Sequence, residues 1–238
     1  MKVFDQTISD IVDENYVYAR ALSHLGIAFY ECPNSKLGDI CAKRGLVKDQ
    51  VMRSFYLFDR NHRLSLSELE KYPIEIIIQY LKHTHSIFVR DKLPYIAKLI
   101  HFAHGNEDMK LIFPEFVNEF IRHIHEEEDG VFCYIQQLVN VDSGKISNPA
   151  TLFARYKKYS LKEIHEEHLE EDEMAGIRTL LNGMENLDLH WRVVSKEIKA
   201  FDREMMYHAE IENEIMFPKA ISLEASVRER MHQLSKLN

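Results

Sequence analysis

Glycine and proline are scarce in this chain, at eight and six among 238 residues. Turn-rich β proteins need many of both, so the scarcity speaks against a sheet architecture and for long helices. Cysteine is rarer still. Cys32, Cys41 and Cys133 are an odd, scattered set with no CxxC pair, which excludes a disulfide framework and fits a reducing cytoplasm. No run approaches the roughly 18 consecutive apolar residues of a membrane span. The segment from Met1 to Glu14 lacks the basic-then-apolar order of a secretory signal. An excess of positive charge is missing too. Thirty Lys and Arg stand against 38 Asp and Glu, a net charge of −8 with both signs interspersed, so neither nucleic acid nor a membrane is expected as a partner.

The hydrophobic share is 45%, enough for the core of one large or two small domains. The abundant residue is histidine, with thirteen copies, many beside glutamates.

The pattern along the chain predicts an all-α protein. Residues 1–58 read as a small helical domain. Ile8, Ile11 and Val12 recur at helical spacing, Gly26 reads as a helix stop, a second short helix spans Ser35 to Cys41 and ends at Gly45, and a third runs from Leu46 to Phe55. Residues 59–72 are polar and read as a linker, with Ser65 and Ser67 as candidate N-caps. Residues 73–238 read as an antiparallel four-helix bundle, because four long periodic segments follow with short links. These run from Ile74 to His104, Lys110 to Val139, Ala150 to Asn182, and Leu187 to Phe217. Pro94 predicts a kink in the first, and Pro218 marks an irregularity or an end of the fourth.

His123 and Glu127 in the second long segment stand four apart, as do His208 and Glu212 in the fourth. That interval stacks both side chains on one helix face, so each pair offers a metal two donors from one side. Imidazole with carboxylate suits iron, manganese or zinc. A single such pair is commonly a solvated surface pair. Here two occur on two helices, and each glutamate is followed at the same distance by a phenylalanine, Phe132 and Phe217, as in two halves of a pseudo-symmetric site. On the first segment His85 shares a face with Ile78, Leu81, Val89 and Ile96, whereas His83 falls between faces. On the third, His168 lies near a stripe of Leu161, Ala175 and Leu180, with His165 a close alternative. The candidate metal set is His85, His123, Glu127, His168, His208 and Glu212. Such a set suits two irons, with the glutamates placed to bridge and positions left for an oxo bridge, dioxygen or nitric oxide. Burial of these groups is unfavourable unless a metal compensates their charge. His101 and His104 read as C-terminal caps, with His104 a lesser candidate to support the ligands from behind. His24, His62, His190 and His232 read as surface residues, and His125 as pointing away. Glu126, Glu128, Glu166, Glu170 and Glu171 read as a solvated acidic face.

The run of His208, Glu212, Asn213, Ile215 and Phe217 through Pro218, Lys219 and Ala220 resembles the last helix of hemerythrin-like proteins, especially the di-iron proteins that repair iron centres in iron–sulfur clusters. His123, Glu127, Glu128 and Phe132 resemble their second helix. Thr84, His85, Val89, Arg90, Leu93 and Pro94 resemble the first, and Glu167-His168 the third. Ile8, Asp10, Ile11 and Val12, then Ala19, Leu22, Gly26, Ile27 and Phe29, then Leu37, Ile40 and Cys41 resemble the small domain that precedes the bundle in that family.

The resemblance implies two non-haem irons with oxo and carboxylate bridges. It implies dioxygen or nitric oxide as a small ligand, damaged iron–sulfur proteins as partners, and a role in nitrosative or oxidative stress; a homodimer would be compatible. Two departures stand out. Ala175-Gly176 follows His168 about one turn later than in the family, and Tyr30-Glu31-Cys32-Pro33 replaces the family's adjacent cysteine pair. That loss puts thiol chemistry in question and leaves a dioxygen or nitric oxide carrier or sensor as the alternative. A metal-free helical interaction module is the third reading.

Overall fold

In the computed structural model the structure describes residues 2–58, 65–145, 152, 160–184 and 187–236. The centre of the expected linker, with His62, and the expected start of the third long helix at Ala150 lie outside the described residues.

Among the described residues the chain is helical, with no strand and one isolated bridge between Thr7 and Lys36. Four short helices come first: α1 (Ile8–Glu14), α2 (Val17–His24), α3 (Leu37–Arg44) and α4 (Lys48–Phe58). Helix α1 starts on a capping box, in which the Thr7 side chain takes the Asp10 N–H and the Asp10 carboxylate takes the Thr7 N–H. It buries Ile8, Ile11 and Val12, the residues whose spacing predicts it. Helix α3 ends at Gly45, whose φ of 67° is a left-handed cap that glycine adopts without a Cβ penalty. A single turn, α5 (Leu66–Leu69), opens on a second capping box between Ser65 and Glu68.

Three long helices follow, and each is interrupted by one π turn. Helix α6 covers residues 74–102, with the π turn at Phe88–Lys92. Helix α7 covers 107–142, with the π turn at Glu128–Phe132. Helix α10 covers 189–236, with the π turn at Glu212–Met216. Pro94 and Pro218 each sit just beyond such a turn. The residues before them, Leu93 and Phe217, donate five residues back, to Phe88 O and Glu212 O. A proline cannot donate to the regular ladder, and the widened turn absorbs that missing bond. Pro218 therefore marks an irregularity rather than the end of its helix. The reversal between α6 and α7 is made by Gly105 (φ 76°) and Asn106 (φ 51°), whose side chain accepts the Met109 N–H.

The expected third helix is not continuous. It is divided into α8 (Leu161–His168) and α9 (Ala175–Asn182). The intervening residues include Glu170, Glu171, Asp172 and Glu173 in succession. The stripe expected along one helix is broken with it: Leu161 is buried, Leu180 half-buried and Ala175 exposed.

The buried side chains form two clusters. One unites Ile8, Leu22, Phe29 and Phe55 of the N-terminal helices with the second half of α6, the first half of α7, α9 and the start of α10. The other unites Leu69 with the first half of α6, the second half of α7, Leu161 and the second half of α10. Successive long segments therefore cross from one cluster to the other in alternating directions. His85, Glu127 and His208 lie where their helices cross the seam between the two.

Candidate metal centre

At the seam, all six sequence-identified residues line one cavity of about 120 Å³. His85 Nε2 lies 2.9 Å from His208 Nε2 and 3.4 Å from Glu127 Oε2. Glu212 reaches two histidines, with Oε1 2.9 Å from His208 Nε2 and Oε2 3.3 Å from His168 Nε2. The donor atoms fall into two groups. His85, Glu127, His208 and Glu212 are all buried, with donor atoms within 4.8 Å of one another. His123, His168 and Glu171 form a second group at the cavity's open side, where the histidines are half-buried and Glu171 is exposed. Glu212 connects the groups.

The site is built by short-range rules. His208 and Glu212 are one turn apart on α10, and His123 and Glu127 one turn apart on α7. The π turns then take over. One extra residue in the turn rotates everything downstream by about 100°, which returns Phe132 and Phe217, five residues beyond Glu127 and Glu212, to the side those glutamates face. Glu128 Oε1 accepts from His85 Nδ1 at 2.9 Å, and Asn213 Oδ1 stands 3.2 Å from His168 Nδ1. The matched phenylalanines complete the symmetry. Phe132 stacks on His85, with centroids 5.7 Å apart and planes 4° apart, while Phe217 packs on His168 at 5.4 Å. Phe88 meets the edge of His208 at 5.8 Å.

Burial pushes the His85 imidazole down to about 4, and the neighbouring His208 acts the same way against the Glu128 hydrogen bond. At neutral pH His85 is therefore uncharged. Its Nδ1–H donates to Glu128, which leaves the Nε2 lone pair facing the cavity. Burial also raises the Glu127 carboxyl well above its usual range, and the Glu212 charge adds to that. Burial acts on Glu212 in the same direction, but the neighbouring His208 and hydrogen bonds with His168 and Glu127 outweigh it and hold Glu212 well below that range. For His168, burial pulls downward, and the Glu212 hydrogen bond and charge outweigh it and raise the pKa.

These residues fit a metal. Glu127 Oε1 and Glu212 Oε1 are buried without a hydrogen-bond partner. Glu212 Oε1 is close to His208 Nε2, but that nitrogen is aligned on His85 Nε2, so the carboxylate oxygen accepts no directed bond. Orphaned buried acceptors are unfavourable by about 1–3 kcal/mol each, and a cation relieves them. Bonds of about 2.1 Å place adjacent donors of an octahedron about 3 Å apart, which matches the separations of 2.9, 3.3 and 3.4 Å here. Two imidazoles and two carboxylates suit a first-row divalent ion.

Other histidines lie elsewhere. His165 stacks on Phe217 at 4.7 Å and belongs to neither donor group. His24, His83, His101, His125 and His232 are exposed. His104 is also exposed and supports no ligand; its carbonyl takes the Trp191 Nε1–H at 2.6 Å. His190 corrects the surface reading: it is buried and stacks on Tyr30 at 4.1 Å, because the N-terminal helices cover the start of α10. Glu128 leaves the acidic face to which the sequence assigns it and meets His85, while Glu171 is exposed as expected and lies near His123 and His168. The available signal for Glu128 was its place beside Glu127, but regular helix phase turns such a neighbour outward.

No family model matches the chain, and no curated protein matches it. No helix among the described residues is long and apolar enough to cross a membrane.

Proposed function

We propose that this chain is a hemerythrin-like di-iron protein related to those that repair iron centres. Helices α6, α7 and α10 and the divided pair α8–α9 are read as its antiparallel four-helix bundle. The supporting observation is the cavity in which two groups of imidazole and carboxylate donors meet across Glu212. His85, His208, Glu127 and Glu212 would hold one iron; His123 and His168 would hold the second, with Glu212 and Glu127 between them. Iron there supplies redox and Lewis-acid chemistry. The residues do the rest. Glu128 and Asn213 fix the tautomer and aim of His85 and His168, and the surrounding phenylalanines keep the buried side dry. The role is a cytoplasmic one in nitrosative or oxidative stress, by supplying iron to damaged iron–sulfur proteins or by nitric oxide chemistry at the pair.

Elemental analysis of protein purified without a metal-affinity tag tests this reading. About two irons per chain with near-ultraviolet charge-transfer bands would support it. A chain that takes up no metal after anaerobic addition of ferrous iron would overturn it and leave a metal-free helical module.

A second reading is favoured by Cys32. It stands without a vicinal partner, and its Sγ donates to the Ala28 carbonyl at 3.4 Å. Without that thiol pair, reversible binding of dioxygen or nitric oxide becomes the alternative. Stoichiometric gas uptake and release with no turnover would select it.

A further inference from the structure

The two donor groups differ in what closes them. Every member of the first is under one-tenth exposed: His85 3%, Glu127 7%, His208 4% and Glu212 2%. The second opens on the segment between α8 and α9, where the helix stops directly after His168. In an unbroken helix Glu171 would continue on the helix wall. Here it leaves the helix, and its carboxylate comes within 4.8 Å of the donor nitrogens of His123 and His168.

The segment is held in place rather than splayed. Asp172 pairs with Arg178 at 2.7 Å, and Arg178 in turn clamps Asp202 of α10 with three contacts of 2.9–3.0 Å. Glu173 Oε1 lies 3.5 Å from His123 Nε2. The orphaned, buried Glu127 and Glu212 oxygens face the same cavity, so the acidic segment is the outer wall of a site with unmet ligand demand inside.

We propose that Glu171 is a further metal-binding carboxylate, which completes a solvent-open metal position with His123 and His168 while the buried position retains its metal. The inference rests on the metal-centre reading above. A ligand exposed to water exchanges with it, whereas the four buried donors release a metal only when the surrounding helices open. The run of carboxylates from Glu170 to Glu173 also concentrates cations at the entrance. Such an arrangement keeps one metal and gives up the other, which a protein that supplies iron requires.

The test uses the full chain loaded anaerobically with ferrous iron, then dialysed and challenged with ferrozine, with iron content and release followed together. Wild type is expected to hold two irons and release them in two phases differing by about tenfold or more. Glu171→Gln is expected to lose the fast phase and fall toward one iron per chain. Glu170→Gln, which removes the same charge from the same segment, is expected to keep both. The proposal is overturned if Glu171→Gln retains two irons with wild-type phases, or if Glu170→Gln matches it, since loop charge rather than ligation would then be responsible. Wild type that takes up no iron would overturn the underlying reading as well; the other failures would leave it standing.

Discussion

Glu128 shows how one side chain can matter through another. Its carboxylate takes the His85 Nδ1 proton at 2.9 Å, and thereby decides which imidazole nitrogen faces the cavity. Removing such a partner leaves the imidazole free to rotate or change tautomer. Glu128→Ala should therefore weaken metal binding about 10–100-fold while helix content is unchanged, as measured by chelator competition beside circular dichroism. Phe132 acts by packing. It is fully buried and stacked on His85, so Phe132→Ala opens a cavity against that imidazole. A loss of about 3–5 kcal/mol in urea unfolding is expected; a loss under 1 kcal/mol would mean that the stack is dispensable.

At the scale of the element, the three π turns deserve the most weight. Each lies within three residues of a buried donor: His85 precedes Phe88–Lys92, Glu127 precedes Glu128–Phe132, and Glu212 opens Glu212–Met216. Without the extra residue, a helix that aims His123 and Glu127 inward would not also aim Phe132, Ile135 and Leu138 at the second cluster. Deleting the exposed Asp129 should convert the turn to regular helix and rotate one half against the other by about 100°. The expected result is loss of both metal content and cooperative unfolding. A deletion variant with wild-type metal content and a wild-type melting temperature would show that the turn is incidental.

At the scale of the molecule, the N-terminal helices share a core with the long ones, and their contact encloses a carboxyl that no short-range rule anticipates. Glu197 of α10 is 5% exposed. Burial pushes its carboxyl up to about 7, against the lowering effect of Arg20 and Lys92. A carboxyl whose folded pKa lies above its unfolded value binds more protons folded than unfolded. Stability therefore falls as pH rises between about 4.5 and about 7. Glu197→Gln removes that dependence. Its advantage over wild type should grow across this window to a figure on the order of 3 kcal/mol, read from urea unfolding at several pH values. Parallel curves for the two proteins would mean that Glu197 ionises normally.

The local signals in the chain determined the all-helical class, the helix stop at Gly45, the cap at Ser65 and the six residues that line one cavity, since helical periodicity and an interval of four residues depend only on neighbours within a turn or two. Tertiary structure decided the rest. It divided the third long segment after His168 and delivered Glu171 to the open side. It buried His190 under helices more than 150 residues away in sequence, and it turned Glu128 and Asn213 onto histidines of other helices. Residue phase is a local property and can be read along one helix; a π turn resets it, and which surface then covers a side chain depends on elements that meet only once the chain is packed.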